Sequence, residues 1–288
     1  MIYIKRCFLV FIVFFSFCFY AKSASLKVSP ARIIIHDVKP GKLYDIYKET
    51  KVRLTIYNDD DMDRTWLLSV NQPSKRGDWE KGYSEIPVST WCWFNNKTIT
   101  VNKRSVSYAY LFLKIPEEEK YYNQHWIVTL GIDSKPGAGN LSLAADIRVQ
   151  IETMSKCDIS VKPHGILSMK PGNVIFKNVI PGKVFSTKVE LFNNDRISHN
   201  YYVSSLFKQK SQIMGAYIGH SYISIPNPNW LAYEKDIFVQ SYESQLVNIS
   251  LLVPDHVENF EKRWEDILFI ESNDCLTGFI RIQIHTVP

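Results

Sequence analysis

The chain has 288 residues, a formal charge of +5, 14% aromatic residues and only 12 glycines. With Lys5, Arg6 and Lys22 set aside, +5 becomes +2, and no lysine or arginine cluster remains to serve as an electrostatic footprint for nucleic acid. The length suits two domains of ordinary size, each able to bury its own core.

At the start of the chain, Lys5 and Arg6 precede the apolar run CFLVFIVFFSFCFY, and the small residues Ala21, Ser23 and Ser25 follow it. This layout predicts a cleavable secretory signal peptide over residues 1–25. The competing reading, an uncleaved anchor, wants about 20 apolar residues, more than this run supplies. No later segment approaches that length, so the mature chain is expected to be secreted or periplasmic with no transmembrane segment.

From residue 26 onward the sequence repeats itself. Val38, Pro40, Gly41 and Lys42 are matched by Val179, Pro181, Gly182 and Lys183, and VRLTIYNDD is matched by TKVELFNND. Tyr83, Ile86, Pro87 and Trp91 recur as Tyr222, Ile225, Pro226 and Trp230, while Pro116 and Trp126 recur as Pro254 and Trp264. Both halves close on one strand pattern, IRVQI and IRIQI, so that Arg148 recurs as Arg281, as an ordinary outward-facing strand residue would. The offset stays between 133 and 141 residues, which predicts one domain duplicated rather than a short-period solenoid.

Strand signals dominate both copies. KVRLTIY, SYAYLFLKI, WIVTLGI and DIRVQI in the first, and KVELF, QLVNISLLV and FIRIQIH in the second, alternate or nearly alternate and are rich in Val, Ile, Tyr and Phe. No window carries a helical stripe, and KIPEEEKYYNQHW offers at most one exposed turn. Seven or so strands in roughly 125 residues is the content of an immunoglobulin-like sandwich. The prediction is therefore all-β: two tandem immunoglobulin-like β-sandwich domains, 26–155 and 156–288, arising from an internal duplication. Their junction, near Thr153 to Ile159, has no Gly or Pro and is expected to be short and stiff. The recurring tryptophans read as core packing between sheets.

Little in the sequence suggests catalysis. The seven histidines are scattered, and no H-E-x-x-H, Cys-x-x-Cys, G-x-S-x-G or phosphate-cradling loop occurs, so neither an enzyme nor a cofactor is expected. In the run Asp59, Asp60, Asp61 and Asp63, the residues Asp59, Asp61 and Asp63 alternate as ligands of a hard cation do, but Arg64 stands where a turning glycine belongs and Val70 where a bidentate Glu belongs. A solvated hairpin tip explains the same residues, so no metal is expected. Cys92, Cys157 and Cys275 remain after signal removal. First and last strands of such a sandwich are often neighbours, which makes a Cys157–Cys275 bridge geometrically possible; three buried or unpaired thiols are the other reading. Aromatic residues outside the strands, Trp79, Tyr83, Tyr121 and Tyr122, are candidates for stacking on a sugar, which would make the chain a carbohydrate-binding module; equally they cover the sandwich ends.

With a signal peptide, two immunoglobulin-like units and no anchor, the chain resembles the periplasmic pilus chaperones and related bacterial envelope modules. The residues carrying the resemblance are SPARIII, with Arg32, and NLSLAADIRVQIE, with Leu141, Leu143, Ala145, Ile147 and Arg148. The resemblance implies that Arg32 and Arg148 clamp a partner's terminal carboxylate while Leu141, Leu143 and Ile147 complete its sheet. The chain departs from that family where IETM replaces an aromatic and basic ending, and where its two halves match each other closely. The expected function is a non-enzymatic interaction or structural module of the cell envelope with a protein partner, chaperone-like in surface-structure assembly. The sequence does not give the oligomeric state.

Overall fold

The computed structural model describes residues 26–75, 80–134, 143–206, 216–273 and 277–288. The expected signal peptide, Trp79, Leu141 and Cys275 lie outside the described residues. The protein is all-β. In the first half the strands are β1 (Lys27–Ser29), β2 (Arg32–Val38), β3 (Leu43–Asp45), β4 (Leu54–Asn58), β5 (Arg64–Asn71), β6 (Ser84–Glu85), β7 (Cys92–Phe94), β8 (Thr98–Val101), β9 (Ser105–Ala109), β10 (Leu111–Lys114), β11 (His125–Ser134) and β12 (Ala144–Thr153). A short helix, α1 (Ile46–Thr50), follows β3. The second half contains β13 (Leu167–Lys170), β14 (Asn173–Val179), β15 (Val184–Asn193), β16 (His199–Ser205), β17 (Ile223–Ser224), β18 (Leu231–Tyr233), β19 (Asp236–Val239), β20 (Ser244–Leu252), β21 (Arg263–Ser272) and β22 (Thr277–Thr286).

Each half is an immunoglobulin-like sandwich, and the main sheets share one order. It is β2-β12-β11-β5-β8 with β6 beside β11 in the first half, and β14-β22-β21-β16-β19 with β17 beside β21 in the second. In both, the opening strand crosses between layers. β1 pairs antiparallel with β4, and then, past the cis Ser29-Pro30 bond, β2 runs parallel to β12. β13, the cis Lys170-Pro171 bond and β14 repeat the pattern. Proline has no N–H to give a ladder, so it suits the point where a strand leaves one sheet for the other. Among the described residues, no strand of the first half pairs with a strand of the second.

The opposing layers differ. SYAYLFLKI, expected as one strand, breaks at Tyr110: β9 pairs with β4, whereas β10 pairs with β3 and β7, so this layer divides into two three-stranded sheets. β20 is continuous, and its layer is one sheet, β13-β15-β20-β18. α1 accounts for the late start of β4. Asp45 caps its first turn by accepting from the Lys48 N–H, and Lys51 ends it in the left-handed region at φ 59°, so extended pairing begins only at Leu54.

Alternation places one side of each strand in a core. Ile33, Ile35, Leu54, Ile56, Trp126, Val128 and Leu130 belong to the first core, and Val189, Leu191, Val247, Ile249, Leu251, Ile282 and Ile284 to the second. Burying each such side chain stabilises by about 1.5–3 kcal/mol. The recurring tryptophans pack in pairs, Trp91 on Trp126 at 5.8 Å and Trp230 on Trp264 at 5.3 Å. Cys92 is buried, and desolvation pushes its thiol well above the usual range.

A third apolar cluster joins the halves. Tyr83 and Ile127 of the first pack with Leu206, Ala216, Ile267, Phe269 and Phe279 of the second. The outer faces of the two main sheets are thus turned toward each other, and β11 and β21 are buried on both sides for most of their length.

Candidate functional site

Arg32 opens β2, and Arg148 is its neighbour across the parallel β2–β12 ladder. Period-2 geometry sends Ile33 and Ile147 into the core and both arginines to the outer face. There they converge on one carboxylate. Arg32 Nη2 lies 2.6 Å and Arg148 Nη1 2.8 Å from Oε1 of Glu80, whose side chain is only 3% exposed. The Arg32 guanidinium also stands 4.3 Å over the ring of Tyr217, and its buried Nε–H has no acceptor among the described residues.

β2 forms the edge of its sheet, and a cleft of about 610 Å³ runs along it. Arg32, Ile34, His36 and Glu49 line one wall, and Tyr217 and His220 of the second half line the other. The expected donor strand is placed differently. β12 lies between β11 and, from Arg148 onward, β2, so β2 is the edge strand there, while Ala144–Ile147 of β12 pair with β11 alone. Ile147 is fully buried and Leu143 packs against the first core, so these side chains fill their own sandwich instead of facing a partner.

Behind the cleft lies a charged network that the repeat pattern conceals. Arg281, expected to face outward, is 1% exposed. Its Nε and Nη2 donate to the two oxygens of Glu152 at 2.8 and 2.6 Å, and its Nη1 donates to Glu265 and, at 2.9 Å, to the Tyr217 carbonyl. The Tyr83 hydroxyl donates to Glu152 at 2.7 Å, and His36 Nδ1 lies 3.2 Å from the same carboxylate. Gly219 N–H and the Gln283 amide donate to Glu265, each at 2.9 Å. Burial alone would raise the Glu152 carboxyl, but Arg281 and His36 overcome it and hold the group well below the usual range. Burial next to Glu152 drives the Tyr83 phenol up. The His125 ring stacks on Phe279 at 3.8 Å, and desolvation brings its pKa down to about 4.

The other expected groups are engaged structurally. Tyr121 and Tyr122 are each 8% exposed and Tyr83 is 4% exposed, so these three rings offer no stacking face to a sugar. Tyr121 packs edge-on against Trp91 and Trp126. In the acidic hairpin, Asp60 pairs with Arg64 and Asp61 with Arg104, while Asp63 accepts the Lys103 N–H. Asp59 is exposed at the same tip. Guanidiniums and a backbone donor thus engage one oxygen of each of these three carboxylates, and the described residues contain no group of three acidic, His or Cys side chains able to hold a metal. Cys157 is an exposed free thiol, and its expected partner, Cys275, lies outside the described residues.

Glu80, Glu152, Glu265 and Tyr217 escaped the sequence reading because none belongs to a repeated motif. One signal was present: WIVTLGI and ILFI are nearly continuous apolar runs, as strands covered on both faces are.

No protein-family model matches the chain, and no curated protein matches it. Among solved structures it is similar to a protein of unknown function from Porphyromonas gingivalis W83, at 13% identity over 90% of this chain and 99% of that one, with a TM-score of 0.35. It is also similar to the E. coli chaperone DraB, at 11% identity over 90% and 98% of the two chains, with a TM-score of 0.31. A third similar structure is the CsuC-CsuE chaperone-tip adhesion subunit complex of Acinetobacter baumannii, at 9% identity over 92% and 100%, with a TM-score of 0.33. At such identities no residue's role passes from one chain to another.

Proposed function

We propose that this chain is a non-enzymatic, exported protein-interaction module of a bacterial-type cell envelope, chaperone-like, built from duplicated domains over 26–155 and 156–288. It would hold an extended segment of a protein partner along β2, with the segment's terminal carboxylate against Arg32 and Arg148. The observation that carries this reading is the convergence of those two guanidiniums from neighbouring strands, one of them, Arg32, lining a cleft that follows a sheet edge. An edge strand offers backbone groups to an extended chain, and paired guanidiniums suit a carboxylate.

The test is binding of a synthetic peptide of alternating apolar and polar residues, with a free terminal carboxylate or an amide, to residues 26–288. The free acid is expected to bind at least about tenfold tighter than the amide, the worth of one charge-assisted contact. Arg32→Ala with Arg148→Ala should erase that difference. Equal binding of acid and amide by the unaltered protein would end the proposal.

A further inference from the structure

We infer that Glu80 is an internal latch on the two-arginine site, holding Arg32 and Arg148 until an incoming carboxylate displaces it. This rests on the carboxylate-holding reading above. Three observations support the latch. Both guanidiniums address the same oxygen, Oε1, and Arg32 meets it through Nη2 alone rather than in the two-pronged contact that a carboxylate and an arginine form at their best. The Arg32 Nε–H is buried without an acceptor among the described residues, a donor that a second carboxylate oxygen would satisfy. Exposure is also uneven: the arginine side chains are 26% and 39% exposed, while the Glu80 side chain is 3% exposed. A solvent-borne carboxylate therefore meets the guanidiniums first, with Glu80 behind them.

The backbone allows the exchange. Tyr83 N–H donates to the Glu80 carbonyl at 3.2 Å, Gly82 turns the chain at φ +84°, and Tyr83 is fixed by Glu152 and Phe279. The turn can stay in place while the Glu80 side chain rotates away. One carboxylate replaces another on the two partly exposed guanidiniums, and the displaced Glu80 carboxylate keeps its charge compensated by turning toward solvent.

The test uses residues 26–288 and the acid and amide peptides, labelled for fluorescence anisotropy. In Glu80→Gln the free acid is expected to bind about tenfold tighter than to the unaltered chain, the gain if the latch is closed about nine-tenths of the time. Binding of the amide should not change. Glu80→Asp, one methylene shorter but still charged, should give a smaller gain of the same sign, and it decides the matter should Glu80→Gln fail to fold. A folded variant that binds the acid no better, or more weakly, would show that Glu80 is a structural counter-ion and overturn the latch. Failure of the underlying reading looks different: Arg32→Ala with Arg148→Ala would then leave acid binding unchanged in both the wild-type and the Glu80→Gln backgrounds.

Discussion

One asparagine explains most of the YNDD and FNND motif. The Asn58 amide donates to the carbonyls of Met62, Val101 and Asn102 at 2.9, 2.9 and 3.1 Å, and its oxygen accepts the Asp60 N–H at 3.1 Å. Asn193 does the same with Ile197, Val239, Gln240 and Asp195, at 2.8, 3.2, 3.1 and 3.0 Å. Both side chains are fully buried. Replacing either with alanine would strand buried carbonyls, so Asn193→Ala is expected to lose about 2–3 kcal/mol in urea unfolding. The acidic neighbours drew attention in the sequence because several carboxylates in one turn suggest a cation. The neutral residue beside them ties the hairpin to the end of β8, and that contact spans more than forty residues of chain.

His125 gives a pH dependence of known sign. Unfolded, it takes up a proton near 6.5, whereas folded it does so only near 4, so the unfolded chain binds more protons between those values. Stability should therefore fall as pH drops from 6.5 toward 4, by about 3 kcal/mol at most from this group. His164 and His285 are also lowered by burial and tilt the curve the same way. The comparison with His125→Phe, which keeps the stack on Phe279, isolates the contribution: the variant should lose much less stability between pH 7 and pH 4.5. Glu152 acts in a lower window. Its carboxyl is depressed, so its contribution is present above the usual carboxylate range and is lost as pH falls through the folded value.

Among the elements, the strands with one buried face were the readable ones. β20 buries Val247, Ile249 and Leu251 in strict alternation, and QLVNISLLV shows it. The break between β9 and β10 was not readable, because SYAYLFLKI alternates straight through Tyr110 and only partner choice divides it. The turn between Glu80 and Tyr83 was hidden too, since its shape answers to a contact far along the chain. At Gly82, φ is +84° and an added Cβ would lie 2.7 Å from Phe279 Cδ1. Gly82→Ala is thus expected to cost about 1–2 kcal/mol from backbone strain, with more from displacing the Phe279 ring. A fall in thermal midpoint larger than that of an exposed Gly→Ala change would be the sign of it.

At the scale of the molecule, the halves meet through both an apolar cluster and a buried ion network, and these respond differently to mutation. Arg281→Ala leaves Glu152 and Glu265 facing each other's charge without the guanidinium, and is expected to cost about 3–5 kcal/mol in equilibrium unfolding. Arg148→Ala, at the matching place in the other half, should cost clearly less, because its side chain is 39% exposed and the buried Glu80 keeps Arg32. The contrast shows what the similar sequences concealed: IRVQI and IRIQI place one arginine half-exposed beside Arg32 and the other in an interface. A pattern shared by two strands fixes which way a side chain points, but the neighbour that covers it is set by packing between halves.

The bond between Glu152 and Arg281 closes a loop of 129 residues. A chain emerging from its N-terminal end presents Glu152 and the outer side of β11 long before the strand that covers them exists. Until the second half is made, that face of the first sandwich stands in water with its charged and apolar groups uncovered, and the meeting of the halves is what closes it.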